Sequence, residues 1–330
     1  MGSFRHERSG GGLDVIRLQN DVIELAIVPA AGGKILELID RRNGRNWLWR
    51  NAHIPVSSAR RGANFERELD SGGWDDVLLS VKPAVIDVGD QHGKSVPDHG
   101  DLIGNEWVVE ELIVNDAGDV ICTMTTTGDC TNYHYKRRIR LLHDCAQIEI
   151  NYRLRNNGTD PMPGYWCAHP LLAIDADARI EIEGNMPFRV DDAETKKSCA
   201  TNGDLRWPNL QLQSGDTLDL SRSFKSNGNP QPTASKIFVR APETGAASVR
   251  LADSKSRLTF HFSPSELPWL GLWINNGAWS GCGSEPYVNL GIEPATAPYD
   301  CVNEAIENDA VPWLEPGAET CWSLSVEVQA

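Results

Sequence analysis

The stretch AQIEINYRLRN, residues 146–156, alternates without a break, Ile148, Ile150, Tyr152 and Leu154 against Glu149, Asn151, Arg153 and Arg155. A period of two puts one set on each face of an extended strand, so one face is buried and the other is wet. The same period recurs in VIELAIVP (22–29), GKILELID (33–40), EWVVEELIV (106–114) and VICTMTTTG (120–128). It returns in RIEIEG (179–184), KIFVRA (236–241), ASVRLAD (247–253), RLTFHFS (257–263) and CWSLSVEV (321–328). Turn signals separate these runs, among them NDAG (115–118), NNGTD (156–160) and SNGNPQP (226–232). No amphipathic helical pattern extends beyond about ten residues. The chain is all-β, and roughly twenty strands without helices must pack sheet on sheet. No boundary divides them, since the one linker-like stretch, SFKSNGNPQPTASK (223–236), has strands of the same kind on both sides. Residues 13–330 are therefore expected to form one β-sandwich domain. MGSFRHERSGGG (1–12) lacks the apolar run of a signal peptide and is expected to be a flexible tail.

Composition narrows the partners. The 330 residues carry 31 Lys and Arg against 46 Asp and Glu, a net charge of −15. That field repels phosphate backbones and anionic lipid, which argues against nucleic acid or a membrane and for a neutral or cationic small molecule. No apolar run approaches the ~20 residues of a membrane span. Eight scattered cysteines with no CxxC pair fit buried free thiols, and so a cytoplasmic setting, better than a disulfide framework or a zinc site.

Three polar groups stand in strand or turn positions where chemistry is the question. In YVNLGIEP (287–294), Val288, Leu290 and Ile292 face the core, which puts Asn289, Gly291 and Glu293 on the opposite face. Gly291 clears bulk beside the carboxylate, and Pro294 holds Glu293 extended and is expected to end the pairing. Glu293 is thereby aimed from a stiff strand rather than a loop. The plain alternative is a strand-end ion pair with a surface arginine. In MPGYWCAHPLLAID (162–175), Tyr165, Cys167 and His169 share a face, and an imidazole near pKa 6.5 is a natural proton donor at neutral pH. VPDHGDLIGNEW (96–107) sets His99 in a turn between Asp98 and Gly100, where the glycine gives the ring room. Trp74, Trp107, Trp166 and Trp273 stand beside these stretches, and a flat ring next to carboxylates and imidazoles suits the C–H face of a sugar.

Taken together, these stretches resemble the aldose 1-epimerases of the galactose mutarotase-like superfamily. LGIEPATAPYDCVNE (290–304) is similar to that family's strand-end Glu-Pro motif, and VPWLEPGAETCWSLSVEV (311–328) to its closing turn and last strand. PDHGDLIGNEW (97–107) is similar to its first-histidine turn, WCAHPLLAID (166–175) to its second-histidine strand, and GGKILELIDRRNGRNWLW (32–49) to its early hairpin. The resemblance implies a β-supersandwich with a groove on one concave sheet face. It implies sugar mutarotation with no metal and no organic cofactor. Glu293 would be the general base, His169 the general acid, and His99 an aid near the ring oxygen.

The departures carry information of their own. Pro170 and Leu171 follow His169 where the family has a polar residue and an aromatic. Asp191 and Asp192 are the candidates for its sugar-binding aspartate. Within ARRGANFERELDSGGWDD (59–76), Arg61 is the candidate sugar contact, with Trp74, Asp75 and Asp76 as further candidates beside Trp107 and Trp273. A branch acting on hexose 6-phosphates has an arginine where this chain has Ile103, which with the negative charge points to an unphosphorylated sugar. Two other readings are open, a sugar-binding domain without catalysis and a lyase or hydrolase using paired carboxylates such as Asp98 and Asp101.

Overall fold

The computed structural model describes residues 2–87, 91–128, 130–200, 205–224, 233–253, 255–283 and 285–330. The turn expected at 226–232 lies outside them. Among the described residues, two large antiparallel sheets account for most of the chain, with two short α-helices, Ala193–Ser198 and Val302–Glu307. The larger sheet has 11 strands. Its middle runs Lys34–Asp40, Trp74–Leu78, Trp166–Leu172, Val288–Ala295, Trp269–Asn276 and Thr233–Arg240. The smaller, of eight, centres on Glu319–Gln329, Gln147–Asn156, Tyr133–Leu141 and Val120–Thr127. This is the all-β sandwich that the alternation requires. Among the described residues, no helix is long and apolar enough to cross a membrane.

The sheets meet through large rings. Trp74 of one contacts Phe260 of the other at 5.6 Å between centroids. Trp166 packs on Tyr152 and Trp322 at 4.8 and 5.0 Å. At the centre lies a buried charge network. Arg137 reaches from the smaller sheet to Asp76 of the larger at 2.9 Å and donates a second bond to the Gly33 carbonyl. Tyr135 and Tyr152 place their hydroxyls on the same carboxylate at 3.3 and 3.4 Å, and Trp166 donates to Tyr135.

Two local expectations change. The N-terminal residues are not a free tail, because Ser3–Arg8 pairs along its whole length with Asp14–Gln19. Ion pairs fix this edge strand, Arg5 to Glu24 and Arg17 to Glu7, and the charged edge resists further strand addition. Pro294 does not end its strand either. Pairing continues through Leu270↔Pro294 and Trp269↔Ala295.

Candidate active site

Strand register alone assembles the site. Ile35 lies opposite Trp74, which sets Lys34 opposite Asp75. Asp75 pairs with His169. The pairs Cys167↔Ala295 and Leu171↔Gly291 put His169 opposite Glu293, and Glu293 faces Gly271. Lys34, Asp75, His169 and Glu293 thus form one row across four adjacent strands. Directly opposed side chains in antiparallel sheets stand about 5 Å apart at Cβ, close enough to interact. The turn carrying His99 closes on this row, its ring meeting His169 edge-on at 4.8 Å and 88°. Residues 99, 169 and 293, some 190 positions apart in sequence between first and last, are therefore brought to one place.

Each group is held firmly. His99 has φ 61°, a left-handed conformation, and its N–H donates to the Val81 carbonyl at 2.6 Å. Asp98 Oδ1 lies 2.9 Å from His99 Nδ1, which leaves Nε2 for a ligand. Gly100 serves the backbone rather than the imidazole, since a Cβ there would stand 2.1 Å from the Leu78 carbonyl oxygen. Glu293 is fully buried, and Lys236 of the strand Thr233–Arg240 donates to its Oε2. Its Oε1 has no hydrogen-bond partner among the described residues and lies 3.8 Å from His169 Nε2. The room over Gly291 is filled by this same oxygen, for a Cβ at 291 would stand 2.5 Å from it. Asp75 Oδ1 and Asn289 Nδ2, on the same face, are likewise buried and unpartnered.

One aromatic ring covers the two histidines. Phe65, on the single helical turn Phe65–Leu69, stacks on His99 at 3.5 Å and 16° and meets His169 edge-on at 6.5 Å. Asn64 caps that turn by accepting from Arg67 N–H, and Glu68 reaches back to Asn64 N–H. Burial holds His169 well below the usual imidazole range, and His99, Lys236 and Lys34 push the same way. His169 is thus neutral at pH 7 in this state, not the imidazolium expected from sequence.

Asp300 completes the charge cluster, 3.6 Å from Lys236. Burial, opposed by Lys236 and reinforced by Asp191 and Glu293, pushes its carboxyl up from 3.8 to about 6. A carboxyl that holds its proton in the native state and loses it on unfolding makes stability fall as pH rises, here between about 4 and 6. Asp300→Asn is expected to remove this slope. Between pH 4.5 and 7.5 the variant should gain on the order of 1–3 kcal/mol relative to wild type, read from urea unfolding.

The other sequence candidates divide. Asp75 faces the row and is paired with Lys34. Trp273 flanks Gly291 and donates to Asn289 Oδ1 at 3.2 Å. Trp74 and Asp76, expected at the groove, point the other way into the inter-sheet core, because alternation puts them opposite to Asp75 or into the Arg137 network. Trp107 is buried under Arg137 and against Gly33. Arg61 is exposed and sits beside Gly104. Asp191 is held by Lys82 and Arg189, and Asp192 caps the helix Ala193–Ser198. Asp98 orients His99 while Asp101 binds Tyr133 and the Cys130 N–H, so these two do not form an acid pair for hydrolysis. Sequence reasoning missed Lys236 and Phe65. A lysine alternating into the groove face of an otherwise apolar strand was the available signal for the first.

Solved structures share this architecture along almost the whole chain. A protein from Klebsiella pneumoniae assigned provisionally as an aldose 1-epimerase superposes with a TM-score of 0.72, at 16% identity, over 99% of this chain and 83% of that one. The fold is galactose mutarotase-like. A galactose mutarotase-like protein from Clostridium acetobutylicum gives 0.66 at 14% identity over 99% and 98% of the two chains. A galactose mutarotase related enzyme from Lactobacillus acidophilus gives 0.64 at 11% over 96% and 97%. No family model matches the sequence, and no curated protein does. On the mutarotase-like scaffold the row Asp75, His169, Glu293 crosses the middle of the larger sheet, and the Phe65 ring covers His99 and His169.

Proposed function

We propose that the chain is a cytoplasmic aldose 1-epimerase-like isomerase that interconverts the α and β anomers of a neutral, unphosphorylated sugar. The observation that carries this reading is the unpartnered Glu293 Oε1, aimed at His169 Nε2 from 3.8 Å beside the His99 ring. A buried acceptor without a donor is costly, and a sugar hydroxyl supplies the donor. Anomerisation needs one proton taken from the C1 hydroxyl and one given to the ring oxygen. The C1–O5 bond then breaks, the aldehyde turns about C1–C2, and closure reverses both transfers. Glu293 is the base, His169 the acid, and His99 supports the ring oxygen. Burial is the largest cause of the lowered His169 pKa, and the hydroxyls of a bound sugar offset part of it by hydrogen-bonding the ring, which favours the protonated form that the acid role needs. All eight cysteines are free, in keeping with a reducing compartment. Saturation-transfer NMR on a panel of free aldoses tests the activity. Wild-type rates equal to the spontaneous rate on every sugar refute it.

The ring over the two histidines sets a second expectation. Phe65 fills the space against His99 where a pyranose would lie, so binding pays for its displacement. Phe65→Ala is expected to lower KM by about tenfold while lowering Tm. A raised KM would mean that the ring stacks on the sugar instead.

One feature favours a binding domain without turnover, namely that Glu293 is already committed to Lys236. That reading expects Glu293→Gln to bind sugar with unchanged affinity in calorimetry, and wild type to show no anomerisation.

A further inference from the structure

Resting on the mutarotase reading, we infer that Lys236 is the positioning residue for Glu293, fixing which carboxylate oxygen faces the substrate. Three features of the larger sheet make this arrangement. Gly271 stands directly opposite Glu293 on the intervening strand, and Lys236 is one strand further on, opposite Trp273. Because Gly271 has no side chain, the Glu293 carboxylate and the Phe238 ring occupy the space over it, and Lys236 reaches Glu293 Oε2 from its place opposite Trp273. A Cβ at 271 would lie 3.0 Å from Glu293 Oε2 and 3.2 Å from Phe238 Cε1. The ammonium is seated by Glu293, by Asp300 at 3.6 Å, and over the Phe238 ring at 5.3 Å.

The consequence is an asymmetric carboxylate. Oε2 is occupied, and Oε1 is the oxygen left for a proton, on the His169 side. Without the lysine, a buried carboxylate rotates towards whichever donor lies nearest, and the distance to the anomeric hydroxyl is no longer set. Displacements of about 1 Å cost on the order of 10²-fold in rate. Lys236 does not itself hand over a proton. Burial would push its ammonium down, but Asp300 and Glu293 outweigh burial and hold it above the usual lysine range. It stays charged throughout, so its role is orientation.

The test is a double-mutant cycle in the full chain, read by saturation-transfer NMR, with thermal melts alongside. Lys236→Met is expected to lower kcat by about 10²-fold with KM within about threefold. Lys236→Arg, which keeps the charge and donors, should recover part of the loss. Lys236→Met/Glu293→Gln should be no slower than Glu293→Gln alone, because a base and its positioning group act as a unit. The double variant carries neither charge and is the folded reference should Lys236→Met melt early. Unchanged kcat in Lys236→Met overturns the inference. So does a double variant slower by the product of the two single losses, which would make Lys236 an independent catalyst. Absence of turnover in wild type would instead overturn the mutarotase reading, and this role with it.

Discussion

Glu293→Gln is expected to lower kcat for anomer interconversion by about 10³-fold, with sugar affinity little changed. The amide keeps the shape of the side chain, and its oxygen can still accept from Lys236, but the NH2 then standing in place of Oε1 cannot accept the C1 hydroxyl proton. The loss belongs in kcat because proton abstraction is completed only in the transition state. Stability should respond less than the burial of Glu293 suggests. Lys236 loses one charged partner but still has Asp300 at 3.6 Å, whose carboxyl is pushed up to about 6 chiefly by burial, with Asp191 and Glu293 adding to it. Above that pH Asp300 takes over as counter-ion, so the melting point at pH 7.5 should fall by only a few degrees. A variant that folds, binds sugar and retains full turnover would remove Glu293 from the mechanism.

The fold was legible because alternation is a backbone property. Every run with clean period two became a strand. The strand Tyr133–Leu141, YHYKRRIRL, escaped notice for a physical reason. Its inward positions are Tyr133, Tyr135, Arg137, Ile139 and Leu141, and a charged residue at the centre of the buried set hides the period. Glycine, proline and face arguments singled out His99, His169 and Glu293 only as polar groups in unusual positions, the family resemblance of the three together gave them roles, and register explains why the last two meet. What the sequence could not convey was which neighbours neutralise them. Lys236 reaches Glu293 across an intervening strand, and Phe65 covers His99 only because a turn closes from a distant segment. Contacts of that kind depend on strand order, which no local pattern contains. The same gap explains Asp76: adjacent to Asp75 in sequence, it lies on the other side of the sheet.

That inward aspartate supports the second large effect, which concerns stability rather than rate. Arg137→Met is expected to destabilise the fold by about 3–5 kcal/mol at neutral pH, because it leaves Asp76 buried without its cation. Burial already raises the Asp76 pKa, and Arg137 is the largest influence opposing that rise. Removing the arginine raises it further, so the variant avoids the buried charge only by keeping Asp76 protonated. A carboxyl with a raised folded pKa contributes stability at low pH that is lost as pH climbs through that value. The deficit of Arg137→Met should therefore be smaller at pH 5 than at pH 8, as measured by urea unfolding. Arg137→Met/Asp76→Leu removes both charges and should recover most of the loss, since an apolar pair in a packed core replaces a buried ion pair at little cost. Sugar turnover by the folded fraction should stay near wild type in the double variant. If KM rises instead, Asp76 influences the groove through the strand it shares with Asp75, and the two faces of that strand are coupled.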